Sequence, residues 1–228
     1  MDNATIIMFL KFGKEQNIND LFFNGTIYMN PIQKFREVED NGLRGDKYEG
    51  VSSIKNYPSG QFEIPSIGYK GNYLSIHIRE TYPEVLGNIY SLYCISSKGW
   101  TNPLDFKIDQ KVKGFGSHCL IVKDNKKFFQ LIEKGLQKLR VKYYHGFVDY
   151  YDKNSVNRTI NVFEKPAEFE YQKEFRFYVM RESTEPLIFN IGSLENIAEI
   201  QPTSIIVDEL KLLPTNKHDR RNTAYSCL

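Results

Sequence analysis

Apolar residues fall clearly at helical spacing in only two parts of this chain, around position 20 (Ile18, Leu21, Phe22) and around position 130 (Phe128, Phe129, Ile132, Leu136, Leu139). Strand-length runs recur elsewhere: Thr5–Leu10, Thr26–Met29, Tyr73–Arg79, Ile89–Ile95, His118–Val122, Arg140–Tyr151 and Ser204–Val207, with a short helix expected from Ser193. Turn signals punctuate them at Asn24-Gly25, Asn30-Pro31, Pro58-Ser59-Gly60 and Gly71-Asn72. Sixteen Phe and 15 Tyr against one Trp add to the strand bias. No strand–helix–strand rhythm repeats. The expected fold is therefore α+β, a mainly antiparallel twisted sheet with a few packed helices. Residues 1–228 suit a single globular domain with a charged loop at 34–50 and a flexible tail from about position 214.

One stretch concentrates polar chemistry. Read as a strand, residues 168–179 put Glu170, Gln172, Glu174 and Arg176 on one face and Phe175, Phe177 and Val179 on the other. The polar row is either a half-exposed Glu–Arg ladder or the lining of a site. Lys34–Asp46 is dense in charge and closes on Tyr48-Glu49-Gly50. Phe35, Leu43 and Tyr48 would anchor it, so it is either a solvated connection or part of a binding site. Ser96-Ser97 place hydroxyls at a strand end, where the plain alternative is a polar turn. Residues 152–165 read as a mobile loop, and the lysines around position 130 as a solvated helix face.

Other chemistry is excluded by pattern. Four histidines show no paired spacing, the three cysteines form no CxxC, and there is no Walker loop or GxSxG elbow, so no metal site is expected. A net charge of +2 gives no global field for nucleic acid, leaving only local patches. The start, Met1-Asp2-Asn3-Ala4, lacks the basic and long apolar regions of a secretory signal, and no run reaches the ~20 apolar residues of a membrane span. The expectation is a cytoplasmic protein with no membrane partner.

Two resemblances add to this. The strand–helix–glycine–strand opening, the Ser-bearing strand and the Gln172-x-Glu174 pair heading an apolar strand resemble the ADP-ribosyltransferase fold of bacterial toxins. That resemblance implies NAD as cofactor and a macromolecular acceptor, protein or nucleic acid. It implies that Glu174 bonds the nicotinamide-side ribose, that Gln172 orients the acceptor, and that Ser96 or Ser97 holds ribose or the Glu174 carboxylate. Lys11 stands where one subclass carries an Arg, and aromatic side chains such as Tyr28 would flank the nicotinamide ring. Over nearly the full length, Lys11-Phe12-Gly13, Asn24-Gly25-x-Ile27-Tyr28-Met29-Asn30-Pro31, Phe35-Arg36, Arg44-Gly45-Asp46-x-x-Glu49-Gly50 and Gln172-x-Glu174-x-Arg176 are similar to a group of uncharacterised bacterial and phage proteins. This second likeness implies bacterial or phage origin and no established activity, while a transferase of the first kind would belong to a defence or toxin setting. It also implies that Arg44, Asp46 and Glu49 share a cleft with Glu174 and Arg176. The alternative is a domain that binds nucleotide, nucleic acid or protein without chemistry.

Overall fold

A computed structural model describes residues 4–37, 43, 45–83, 86–98, 102–213 and 225–226. The chain opens with β1 (Thr5–Gly13), α1 (Glu15–Asn24), β2 (Thr26–Pro31) and the single turn α2 (Lys34–Glu37). Helix α1 buries Ile18 and Leu21 and stops at Gly25. This glycine sits at φ 64, and a Cβ there would lie 2.0 Å from the Gly192 carbonyl oxygen, so only glycine fits. A long two-stranded ribbon follows, made of β3 (Val51–Tyr57), β4 (Gly60–Ile64), β5 (Tyr69–Tyr73) and β6 (Ile76–Thr81). The middle of the chain supplies β7 (Asn88–Ser96), β8 (His118–Val122) and α3 (Asn125–Lys138). The Asp124 carboxylate caps α3 by accepting from the Lys127 amide at 2.8 Å. Phe128, Ile132 and Leu136 are buried on one side of α3, with Lys126, Lys127, Lys134 and Lys138 exposed on the other. The remaining elements are β9 (Lys142–Phe147), β10 (Asp149–Tyr151), β11 (Arg158–Thr159), β12 (Glu164–Pro166), β13 (Glu174–Met180), β14 (Leu187–Asn190), β15 (Ala198–Pro202), α4 (Thr203–Glu209) and β16 (Tyr225–Ser226).

The architecture is α+β with a mainly antiparallel sheet. Nine strands run β14-β2-β7-β1-β8-β15, with β13 on the other edge of β7, β9 beyond it, and β16 on β1. Their pairings are antiparallel throughout. Smaller pieces are β11-β3-β6, the hairpin β4-β5, and the parallel pair β10-β12. The main core lies between the sheet and helices α1 and α3, where Phe9, Leu92, Phe175 and Phe177 meet Leu21, Phe128 and Ile132. A second core on the opposite face joins Leu10, Tyr93 and Ile95 to Val112, Ile206 and Val207. No helix among the described residues is long and apolar enough to cross a membrane.

Several local expectations change. The stretch 168–179 is not one strand: Ala167–Gln172 forms 3-10 turns, Lys173 takes a left-handed φ of 41°, and pairing begins only at Glu174. Ser204–Val207 is helical rather than extended. Proline ends β15, and Thr203, Ile206 and Val207 then bury on one side at i, i+3 and i+4. The helix expected from Ser193 is a turn at 195–197. Residues 152–165 include β11 and most of β12, so they are not a loop without structure. Tyr73–Arg79 is interrupted at Leu74-Ser75, where β5 passes into β6.

Candidate functional site

Strand β7 organises the site because its two edges are treated differently. One edge pairs β13 continuously from Asn88 to Tyr93. The other is shared: β2 takes Asn88 and Ile89, and β1 takes Tyr93 to Ser96. Among the described residues Tyr90, Ser91 and Leu92 have no strand partner on that side, so the sheet splits between β1 and β2. Lys11, at the diverging end of β1, bridges the split. Its ammonium donates to the Ser91 carbonyl at 2.6 Å and lies 4.2 Å from the Tyr90 ring centroid. A cleft of about 460 Å3 opens there. Lys14, Thr26, Tyr28 and Asn30 stand at its walls, and Glu49, Lys165, Gln172, Glu174 and Arg176 form its floor.

The floor follows from the alternation of β13. Phe175, Phe177 and Val179 face the main core, which turns Glu174 and Arg176 to the other face. On sequence this polar row could be half-exposed. In the fold it is covered, and Arg176 is 0% exposed. The segment Asp46–Gly50 lies over it from one side, and residues 162–165 cover it from another, with the Val162 carbonyl accepting from Arg176. Arg36 fastens the first cover by donating to the Glu49 carbonyl at 2.6 Å and the Gly50 carbonyl at 3.2 Å. Gly50, at φ 71, has the Arg36 guanidinium where a Cβ would fall.

Every charge in the floor is matched. Arg176 makes a bidentate pair with Glu49 at 2.7 and 2.8 Å and donates through Nε to Glu174 at 2.8 Å. Lys165 donates to Glu174 at 2.6 Å and to the Gln172 carbonyl oxygen at 2.7 Å. The Gln172 amide in turn donates to the Leu43 carbonyl at 2.9 Å, and Tyr171 donates to the same oxygen at 2.8 Å. Burial opposes ionisation of Glu174, but the Arg176 and Lys165 cations and their hydrogen bonds outweigh it and hold the carboxyl well below its usual range. Burial likewise opposes the charge on Arg176, and Glu174 and Glu49 overcome it.

Asp46 is the exception. It is 1% exposed, one carboxylate oxygen accepts from the Tyr48 amide at 2.8 Å, and the other has no hydrogen-bond partner among the described residues. Burial, with Glu49 adding, raises its pKa to about 6 against the opposing pull of Lys165 and Arg176.

The residues singled out on sequence thus divide. Gln172 and Glu174 converge on Lys165, although Gln172 reaches it from the 3-10 turn and not from the strand. Lys11, Tyr28 and Arg176 line the same cleft. Glu49 belongs to the floor and Asp46 to the segment that covers it, whereas Arg44 lies outside the described residues. Ser96 and Ser97 are elsewhere. They sit past the Glu174↔Tyr93 register at the far end of β7, where the Ser96 hydroxyl accepts from the Lys98 amide and that of Ser97 from the Thr5 amide. Neither serine lines the cleft. These hydroxyls shape the turn after β7. Lys165 has no signal in the sequence, because its burial depends on the parallel pairing of β12 with β10, which brings strands of unrelated local pattern together. No group of three metal-ligating side chains gathers among the described residues.

Fold and site define an α+β protein with a cleft at a split in its sheet. Against known families, curated proteins and solved structures, the chain matches no family model, no curated sequence and no structure.

Proposed function

We propose that the chain is a cytoplasmic nucleotide-binding protein of bacterial or phage origin, whose cleft takes a dinucleotide of the NAD class. The observation that carries this is the split in the sheet, with Lys11 bridging it and Tyr28 at the wall above a fixed, fully paired floor. The cleft volume of about 460 Å3 falls within the roughly 300–1,000 Å3 of small-molecule sites. Lys11 and Lys14 supply positive charge for a pyrophosphate, and aromatic walls suit a base or nicotinamide ring. Glu174 in this reading is structural, since both its oxygens already accept from cations.

A second reading is favoured by the meeting of Gln172 and Glu174 in the same cleft. In it the chain is an ADP-ribosyltransferase-like enzyme acting on a protein or nucleic-acid acceptor. Glu174 would stabilise the cation that forms as nicotinamide leaves, after exchanging Lys165 or Arg176 for a ribose hydroxyl. Calorimetric titration with NAD and a nicotinamide-release assay separate the two. Binding that weakens about tenfold or more in Lys11→Ala, with no nicotinamide released by the wild type, supports the binder. Release that disappears in Glu174→Gln supports the enzyme. Absence of NAD binding sinks both.

A further inference from the structure

Helices α1 and α3 end differently, and the difference concerns charge. Each is followed by a residue in the left-handed region, Gly25 at φ 64 after α1 and Arg140 at φ 54 after α3. Glycine is the ordinary choice there because it has no Cβ to strain, so an arginine costs free energy that a glycine would not. The start of α3 departs in the same sense. Its first turn carries Lys126 and Lys127 and no acidic residue, although the positive end of the helix dipole disfavours cations. Both ends of α3 keep basic side chains where stability alone favours something else.

The cations form one surface. Lys127, Lys134 and Lys138 are spaced by seven and four residues, which sets them within about 40° of one another around the axis and spreads them over about 16 Å. Arg140 follows past the last turn. All four are exposed, and none has an ion-pair partner among the described residues. The acids near them are occupied: Asp124 caps the helix, Glu133 accepts from the Tyr143 hydroxyl at 3.3 Å, and Glu199 closes on Lys123 at 3.0 Å. Elsewhere on the surface Lys70, Lys98 and Arg158 also close on carboxylates. Residues 123–142 hold seven basic side chains against two acidic ones, whereas the whole chain carries +2 and its remainder is therefore net acidic.

We propose that this face of α3 binds the phosphate backbone of duplex DNA. Charge complementarity names the partner. A row of about 16 Å runs past four or five phosphates of one strand at roughly 3.4 Å each. Phe128, Ile132 and Leu136 are turned into the core. That leaves the row no ring on which the bases of a single strand would stack, and no broad apolar face to enter a bilayer. Contact through phosphates fixes position without reading sequence. The proposal does not depend on what the cleft binds.

Fluorescence-anisotropy titration of the full chain with a short labelled DNA duplex across a salt series tests it, with the matching single strand and anionic vesicles in parallel. Four phosphate contacts give an expected slope of log K against log salt of about −3.6. Lys134→Gln and Arg140→Gly should each weaken binding at low salt and make the slope shallower by about one. Arg140→Gly should do so with no fall in melting temperature, because glycine suits that backbone. Lys70→Gln removes the same net charge from the β4-β5 hairpin and should leave binding unchanged. Absence of duplex binding at low salt overturns the proposal. So does binding that Lys70→Gln weakens as much as Lys134→Gln, tighter binding of the single strand, or capture by vesicles without binding of the duplex.

Discussion

The cleft floor and the β4-β5 ribbon invert the usual placement of side chains in opposite senses. In the floor, two carboxylates, a guanidinium and an ammonium are removed from water, while on the ribbon a row of aromatic and aliphatic side chains is left in it. The floor is stable because each charge has a partner at hydrogen-bond distance. Its cost appears only when one member is removed, since what remains is an uncompensated charge in a low-dielectric place. The ribbon has no such internal bookkeeping. Among the described residues β4 and β5 pair only with each other and bury no side chain, so changes there should be nearly silent for stability.

The largest effect follows from Arg176. Replacing it with Ala leaves Glu49 and Glu174 buried together with Lys165 as the single cation, and stability should fall by about 3–5 kcal/mol. Urea or guanidinium unfolding measures this. A loss below about 1 kcal/mol would make the floor equivalent to surface charge and dissolve the contrast with the ribbon.

Asp46 gives a smaller effect with a defined pH window. Its pKa in the fold, about 6, lies above the ordinary 3.8, so the native state binds this proton more tightly than the unfolded chain does. The resulting stability is complete below about pH 4 and is lost as pH rises through about 6. Asp46→Asn keeps the neutral form at all pH values. It should therefore match wild type near pH 4 and exceed it by on the order of 1–3 kcal/mol at pH 7 to 8. Glu174 works in the other direction: its depressed pKa contributes stability above the ordinary carboxylate range that is lost as pH falls toward the depressed value. Unfolding free energies taken across pH for both chains would sharpen the picture, and parallel curves would remove Asp46 from it.

The class of fold was legible because strand alternation and turn residues are local signals, as the matched spans of β1, β2, β7 and β8 show. The two long helices declared themselves through their apolar stripes. Extended reading failed at Gln172 and at Ser204–Val207, where left-handed Lys173 and the proline ending β15 decide the backbone and alternation does not. At the site, Glu174 and Arg176 were legible as one face of a strand, but not as buried. Burial there depends on Glu49 and Lys165, which lie 127 and 9 positions from their partners Arg176 and Glu174 and arrive on separate covers. Ser96 and Ser97 show the converse: a strand end is easy to read, but where it points is set by register.

The ribbon supplies the last and smallest prediction. Phe62→Ser removes a large ring that is 45% exposed and packs mainly across its own hairpin onto Gly71 and Tyr69. With little enclosed volume lost, the monomer should change by no more than about 0.5 kcal/mol. A comparable truncation in the main core, Phe177→Ala, should cost about 3–5 kcal/mol, because Phe177 is fully enclosed and leaves a cavity. A near-zero value for Phe62 beside a large one for Phe177 would set the exposed hairpin apart from the enclosed core.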